Sequence, residues 1–391
     1  MVRARRGLKR HFAIIGAMIA IVLAIAISYN VTHNQIQVPN ASTVESYNYT
    51  LQAPGLVCVG GSRSTSQINK LVYFSDIRNG TLGPWGSSQG MPLLSSSCAY
   101  YNNTIYCVGG AAPDGASSFS TTYYMKVNTS SGLYWNASDL YPYKVKNEGC
   151  TAGMGHIYCT GGIAEGENSS GSVFSMVNLT YYAGLSASGI GPWMQSIPYP
   201  NNAVQPSCIY YNDTVYCLQG YNNGAPPYGE GATTYRGIYY AHVLLNGSIT
   251  QWTLTGNYPD INTVIRQYPN ETYYNATLGI VLSSCNIYSG YIYCVGGAAG
   301  IYSFNLTYYA PIIPGGGVGT FINTTPYPTA VSRTSCIIEN GSIYCVGGIT
   351  NSAILDWVYR ANVSSSGISA WSRLNNSLPV PLYGLSCFST A

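Results

Sequence analysis

The chain has 391 residues, 46% of them hydrophobic and only 7% charged, with a net charge of +3. That length and apolar content can bury a substantial core. Most of the positive excess lies in one N-terminal cluster, which excludes the basic footprint of a nucleic-acid binder.

Residues 1–11 carry that cluster: Arg3, Arg5, Arg6, Lys9 and Arg10. Phe12–Ile27 then runs without a charge and, with Ser28 and Tyr29, reaches the lower length a bilayer requires. This predicts a single transmembrane signal anchor over 12–29, with the basic side cytoplasmic and the rest of the chain outside the cell. Ala26-Ile27-Ser28 also offers a small-x-small cleavage site, in which case the protein is secreted. Residues 30–54 read as a polar extracellular tether.

From residue 55 onward one phrase recurs. It reads CAYYNNTIYCVGG at Cys98–Gly110, CTAGMGHIYCTGG at Cys150–Gly162, CIYYNDTVYCLQG at Cys208–Gly220, CNIYSGYIYCVGG at Cys285–Gly297 and CIIENGSIYCVGG at Cys336–Gly348. Apolar runs flanking turns such as NN, ND, SG and NG predict β-hairpins in which each first cysteine faces the second. Disulfides are therefore expected at 98–107, 150–159, 208–217, 285–294 and 336–345. Cys58 in GLVCVGG is the second half of the phrase alone, and Cys387 in GLSCFSTA is the first half alone. A repeat split between the termini predicts a closed ring with a sixth bridge, 58–387. An open solenoid would cap its ends instead.

Each phrase is followed by a Tyr strand and, eleven or twelve residues on, an aromatic: Tyr73 to Trp85, Tyr124 to Trp135, Tyr182 to Trp193, Tyr240 to Trp252, Tyr309 to Phe321 and Tyr359 to Trp371. Four strands per repeat follow. Here residues 55–391 resemble the kelch family of β-propellers, on the glycine doublet closing the second strand, the Tyr of the third and the Trp of the fourth. The paired cysteines, the long Tyr–Trp spacing and Leu218-Gln219-Gly220 depart from its pattern. The resemblance implies an all-β, six-bladed propeller of four-stranded antiparallel blades, the aromatics forming core between blades.

Strand order places the loops after the glycine doublets and before each first cysteine on one face. Most charges fall there, and so does the longest excursion, Cys217 to Cys285. Long loops on a rigid ring are where binding is expected. Arg63, Arg236, Arg266 and Arg333 are the expected contact residues, with Tyr221 and Tyr228 beside them.

Eighteen Asn-x-Ser/Thr sequons, the disulfides and the export signal point to a glycosylated surface protein. A surface short of carboxylates changes its charge little on acidification, so an acidic external habitat is expected. Propellers of similar kind include copper radical oxidases and sialidases. The first would need His and Tyr ligands and a free cysteine. His156 lies in a Cys–Cys turn, His242 lies on a Tyr strand, and every cysteine is paired. The second resemblance implies an arginine cluster, but the Ser-x-Asp-x-Gly-x-x-Trp boxes are missing. No metal, cofactor or catalytic residue is assigned. The expectation is a membrane-anchored module that binds an envelope glycan or a surface protein, with a sialidase-like glycosidase as the alternative.

Overall fold

The computed structural model describes residues 55–64, 67–90, 96–112, 117–127, 134–169, 171–222, 233–259, 279–299 and 302–390. The expected anchor at 12–29 and tether at 30–54 lie outside them. Among the described residues every regular element is a β-strand, and none is a helix.

The recurring phrase folds as a two-residue hairpin. Asn102–Asn103 and Asn212–Asp213 hold φ values of 47° and 57°, and 47° and 55°. Met154–Gly155, Ser289–Gly290 and Asn340–Gly341 are likewise positive at both positions. Two positive-φ residues are what a type I′ turn needs, and its twist matches that of the flanking strands. Counting back from such a turn, the cysteines fall opposite each other at a non-hydrogen-bonded pair, where side chains come closest. The registers are Cys98↔Cys107, Cys150↔Cys159, Cys208↔Cys217, Cys285↔Cys294 and Cys336↔Cys345. All five pairs are disulfides, and so is Cys58–Cys387.

Each hairpin opens a four-strand antiparallel run. Ser97–Tyr101, Thr104–Val108, Thr122–Lys126 and Asn136–Ala137 form one, and Gly149–Gly153, His156–Thr160, Thr180–Ser186 and Gly189–Gln195 the next. The same order recurs from Ser207–Tyr211 and from Ser284–Tyr288, while the sheet from Ser335–Glu339 carries an extra two-residue strand. The last sheet joins the ends of the described chain. Tyr383–Ser389 pairs with Gly55–Ser64, which pairs with Leu71–Arg78. The strands bearing the first cysteines (98, 150, 208, 285, 336 and 387) neighbour one another in a closed cycle in that order. Ring closure through the termini is therefore present in the pairing itself.

The core lies between sheets. Leu56, Cys58 and Tyr73 of the terminal sheet pack with Ile337, Tyr344 and Val358 of its neighbour. Ala99 and Tyr106 pack with Ile157, Cys159 and Ala183 in the same way. The Tyr and Trp positions join these clusters as expected, with Trp252 buried and Trp193 and Trp371 partly so. A further aromatic stands six residues after the Trp or Phe. Tyr141, Tyr199, Tyr258 and Tyr327 are fully buried, and their rings lie edge-on to Trp193, Trp252, Phe321 and Trp371 at 4.8–5.2 Å. Tyr141 and Trp193 belong to neighbouring sheets, as do the other three pairs, so these contacts tie one sheet to the next.

The glycine doublet also acts between sheets. The N–H groups of Gly110, Gly162, Gly297 and Gly348 donate to the carbonyls of Val145, Ala203, Val331 and Leu382, each at 2.8 Å. Those carbonyls lie five residues before the next sheet's first cysteine. A Cβ on the preceding glycine, Gly109, Gly161, Gly296 or Gly347, would overlap that same oxygen. Glycine is thus needed for close approach as well as for positive φ. Where Gln219 replaces the first glycine it also sits at positive φ, and its side-chain Oε1 accepts the Ser283 N–H at 3.3 Å. The loop expected after Gly161-Gly162 is instead a hairpin, Ile163–Asn168 with Gly171–Met176, extended by Lys144–Lys146.

Candidate functional site

The first-cysteine strands form the inner edge of every sheet. At a non-hydrogen-bonded pair the cysteine N–H turns away from its hairpin partner, towards the axis, where an edge leaves it unpaired. Serine solves this locally. Ser97 Oγ accepts the Cys150 N–H, Ser284 Oγ that of Cys336 and Ser335 Oγ that of Cys387, all at 2.9 Å. Gly149 replaces serine where a Cβ would meet Pro206 and the Cys208 sulfur.

Three residues before the cysteine, the backbone turns left-handed. Asn147, Gln205, Leu282, Arg333 and Gly384 hold φ between 51° and 67°. Gln205 N–H donates to the Asn147 carbonyl at 2.7 Å, Arg333 N–H to Leu282 at 3.1 Å and Gly384 N–H to Arg333 at 2.9 Å. A partial collar of backbone hydrogen bonds, three of them among the described residues, therefore links neighbouring sheets near the axis. It frames a cavity of about 560 Å³, lined by Lys146, Asn147, Glu148, Gln205, Arg333, Tyr383 and the collar serines. Below it a second cavity of about 300 Å³ shares Cys98, Cys285, Cys387 and Phe388 with the first.

Glu148 is the unusual member. The residue two before the cysteine is otherwise an O–H donor within its own sheet in three repeats. Ser96 donates to the Gly109 carbonyl at 2.9 Å, Ser283 to Gly296 at 2.9 Å and Thr334 to Val346 at 3.1 Å. Glu148 is 4% exposed, and among the described residues neither carboxylate oxygen has a hydrogen-bond partner. Burial pushes its pKa up to about 8. The N–H groups of Glu148 and Ser97 oppose that shift but fall short of hydrogen-bond geometry. Burial likewise raises the pKa of Tyr141 and Tyr143 beside it.

Of the residues expected at the contact face, Arg333 lines this cavity, its guanidinium 5.8 Å from the Tyr383 ring centroid. Tyr221 stands behind the wall, 3% exposed, donating to Gln205 Oε1 at 3.3 Å with the Arg333 charge nearby. Arg63 ends the Gly55–Ser64 strand near the Tyr73 hydroxyl. Arg236 donates from Nε to the Tyr258 carbonyl at 3.0 Å, away from the lining. Arg266 and Tyr228 lie outside the described residues. Glu148, Gln205 and Lys146 were not among the expected residues. The polar residue two before four of the six first-strand cysteines (Ser96, Glu148, Ser283 and Thr334) was the sequence signal for Glu148.

Neither a protein-family model nor a curated protein sequence matches the chain. Solved structures do match. The structure of YjhT aligns over 83% of this chain and 99% of its own, with a TM-score of 0.57 and 11% sequence identity. The fold is propeller-like. At that identity the likeness speaks for the fold alone.

Proposed function

We propose that the protein is a membrane-anchored, cell-surface propeller of six kelch-like blades. In this reading it is a glycosylated binding or adhesion module for an envelope glycan or another surface protein, and its contact site is the axial cavity. One observation carries the choice of site: a cavity of about 560 Å³, framed by the left-handed turns and lined by polar side chains, on the face where the sequence collects its charges. Such volumes suit small polar ligands or the tip of a larger one. Six disulfides favour an oxidising, external compartment. The charged run before residue 12 and the apolar run after it support the anchor. The glycine doublets, Tyr strands and Trp strands support the kelch-like repeat.

The glycosidase alternative is weaker on chemistry. A sialidase-like site needs a cluster of arginines for the substrate carboxylate, whereas Arg333 is the one arginine among the described residues of the lining. The test is capture of cell envelope by the detergent-solubilised full chain, with intact envelope and with envelope stripped of glycans. Binding is expected to fall on Arg333→Gln, the one of the four expected arginines that lines the cavity. Unchanged capture by that variant overturns the assignment of the site. Loss of capture on stripping marks a glycan ligand, and persistence marks a protein.

A further inference from the structure

We propose that three consecutive sheets dock onto the surface of a lipid bilayer through apolar residues in their turns, so that the axial cavity opens away from the membrane. This rests on the membrane-anchor reading above and adds which side of the propeller meets the bilayer.

In an antiparallel run of four strands, the turn joining the first two and the turn joining the last two fall at one end, and the larger axial cavity is lined from the other. The chain enters at the turn end. Gly55 stands three residues before Cys58, as Thr104 stands three before Cys107, so the two chain ends of the last sheet take the place of its cysteine turn. The tether expected at residues 30–54 therefore joins the propeller on the turn side, and its 25 residues reach at most about 90 Å.

Most turns at that end are polar. Between the third and fourth strands they read Arg78-Asn79-Gly80-Thr81, Ser186-Ala187-Ser188-Gly189 and Ser364-Ser365-Ser366-Gly367. The sheets opening at Ser207 and Ser284 break the pattern with Leu244-Leu245-Asn246-Gly247-Ser248 and Ile313-Pro314-Gly315-Gly316-Gly317. Leu245 is 97% exposed, and Leu244 and Ile313 are exposed at equivalent positions. The sheet opening at Gly149 adds Met154, exposed at a φ of 47° where the other cysteine hairpins place Asn or Ser. A bulky residue is unfavourable at positive φ, so local folding does not account for Met154. His156 steadies it, donating from Nδ1 to the Met154 carbonyl at 2.9 Å.

These three sheets are consecutive in the cycle, and their turns meet. A Cβ on Gly247 would overlap the His156 ring, and one on Gly316 would lie 2.8–2.9 Å from Tyr240 and His242. Met154, Leu244, Leu245 and Ile313 thus form one apolar patch with imidazole and phenol rings between them, a composition suited to the membrane interface. Among the described residues of these turns Asp213 is the one carboxylate, its Oδ1 accepting the Tyr210 hydroxyl at 2.8 Å, and there is no lysine or arginine. The patch therefore has nothing to attract anionic headgroups and works by burying apolar side chains. A tether on the same side makes that burial intramolecular, so a small patch suffices. Asn212 and Asn246 carry sequons within the patch, and docking requires both to be free of glycan. Asn246 Oδ1 is turned onto Ser248, accepting its N–H at 3.1 Å and its hydroxyl at 2.7 Å.

The full chain reconstituted into phosphatidylcholine vesicles, plain or brominated in the acyl chains, tests this through an added fluorophore. Brominated lipid should quench most of the emission that Leu245→Trp adds, and none of that added by Ser365→Trp at the equivalent turn of another sheet. The contrast should persist at about 1 M salt, since no ion pair carries the docking. Flotation of the vesicles reads the anchor separately. Protein that floats but shows equal quenching at the two positions, or none, overturns the docking and leaves the anchor reading intact. Protein that does not float overturns both. Quenching abolished by salt, or a glycan on Asn212 or Asn246 in protein from its native membrane, also overturns the docking. A photo-crosslinker at position 245 that joins two copies, with no quenching by lipid, would assign the patch to a second copy and overturn the lipid assignment.

Discussion

Glu148 sets a sign for the pH dependence of stability. Its folded pKa of about 8 lies above the ordinary 4.5, so the folded state favours the protonated form. Its contribution is therefore neutral below about pH 4.5, grows unfavourable as pH rises to about 8, and is constant above. Glu148→Gln should match the parent's thermal midpoint at pH 4 and exceed it at pH 9. Each pKa unit is worth about 1.4 kcal/mol, so the gain amounts to a few kcal/mol. Equal midpoints at pH 9 would refute the buried, unpartnered carboxyl. Glycine provides a second test at this scale. Gly161→Ala puts a methyl group into the Ala203 carbonyl, whereas Gly155→Ala at a similar φ meets nothing within 4 Å. The second should cost about 1 kcal/mol and the first about 3 or more by urea unfolding, since only the first adds a backbone clash to the positive-φ penalty. The doublets were legible as punctuation, but the carbonyl each one receives was not, because it belongs to the next repeat. Glu148 was legible as a charge in the run Lys144–Glu148. Its burial was hidden because Lys144 and Lys146 make that run read as solvated.

Among the elements, the cysteine hairpins were readable because turn type and cysteine spacing fix one register. The Ile163–Met176 hairpin was not, since its six outer residues are mostly exposed and carry no alternating apolar pattern. The bridges differ in what they restrain. The chain-entropy estimate is about 2.7 kcal/mol for a ten-residue loop and about 5–6 for the 329-residue separation of Cys58 and Cys387. Cys58→Ser with Cys387→Ser should therefore lower the midpoint of denaturant unfolding more than Cys98→Ser with Cys107→Ser. The reverse order would mean that the terminal strand is held mainly by its neighbours. The Tyr-Pro pairs after the Trp strands, Tyr141-Pro142, Tyr199-Pro200, Tyr258-Pro259 and Tyr327-Pro328, were in plain view as a motif. Their partners were not, because each ring packs against the Trp or Phe of the next repeat, which only the packing of two adjacent sheets brings near.

For the whole molecule, closure was legible because a repeat is cut between the termini, and the pairing of Gly55–Ser64 with Tyr383–Ser389 realises it. The site was less legible, because an axial cavity collects single residues from every repeat and no local pattern marks them together. With 13 acidic side chains in 391 residues, acid can protonate few native ion pairs. Apart from the Glu148 effect, which favours low pH, the unfolding midpoint should change little between pH 7 and pH 3. A sharp fall across that range would contradict the expected tolerance of acid. The terminal sheet also decides how the molecule carries load. Gly55–Ser64 is gripped on one side by Tyr383–Ser389 and on the other by Leu71–Arg78. Tension applied along the chain from the N-terminal side would pull that strand lengthwise, shearing two ladders together instead of unzipping bonds singly. The Cys58–Cys387 bridge then passes any remaining force to the far end of the chain. A cell that pulled on this protein would be pulling on its clasp.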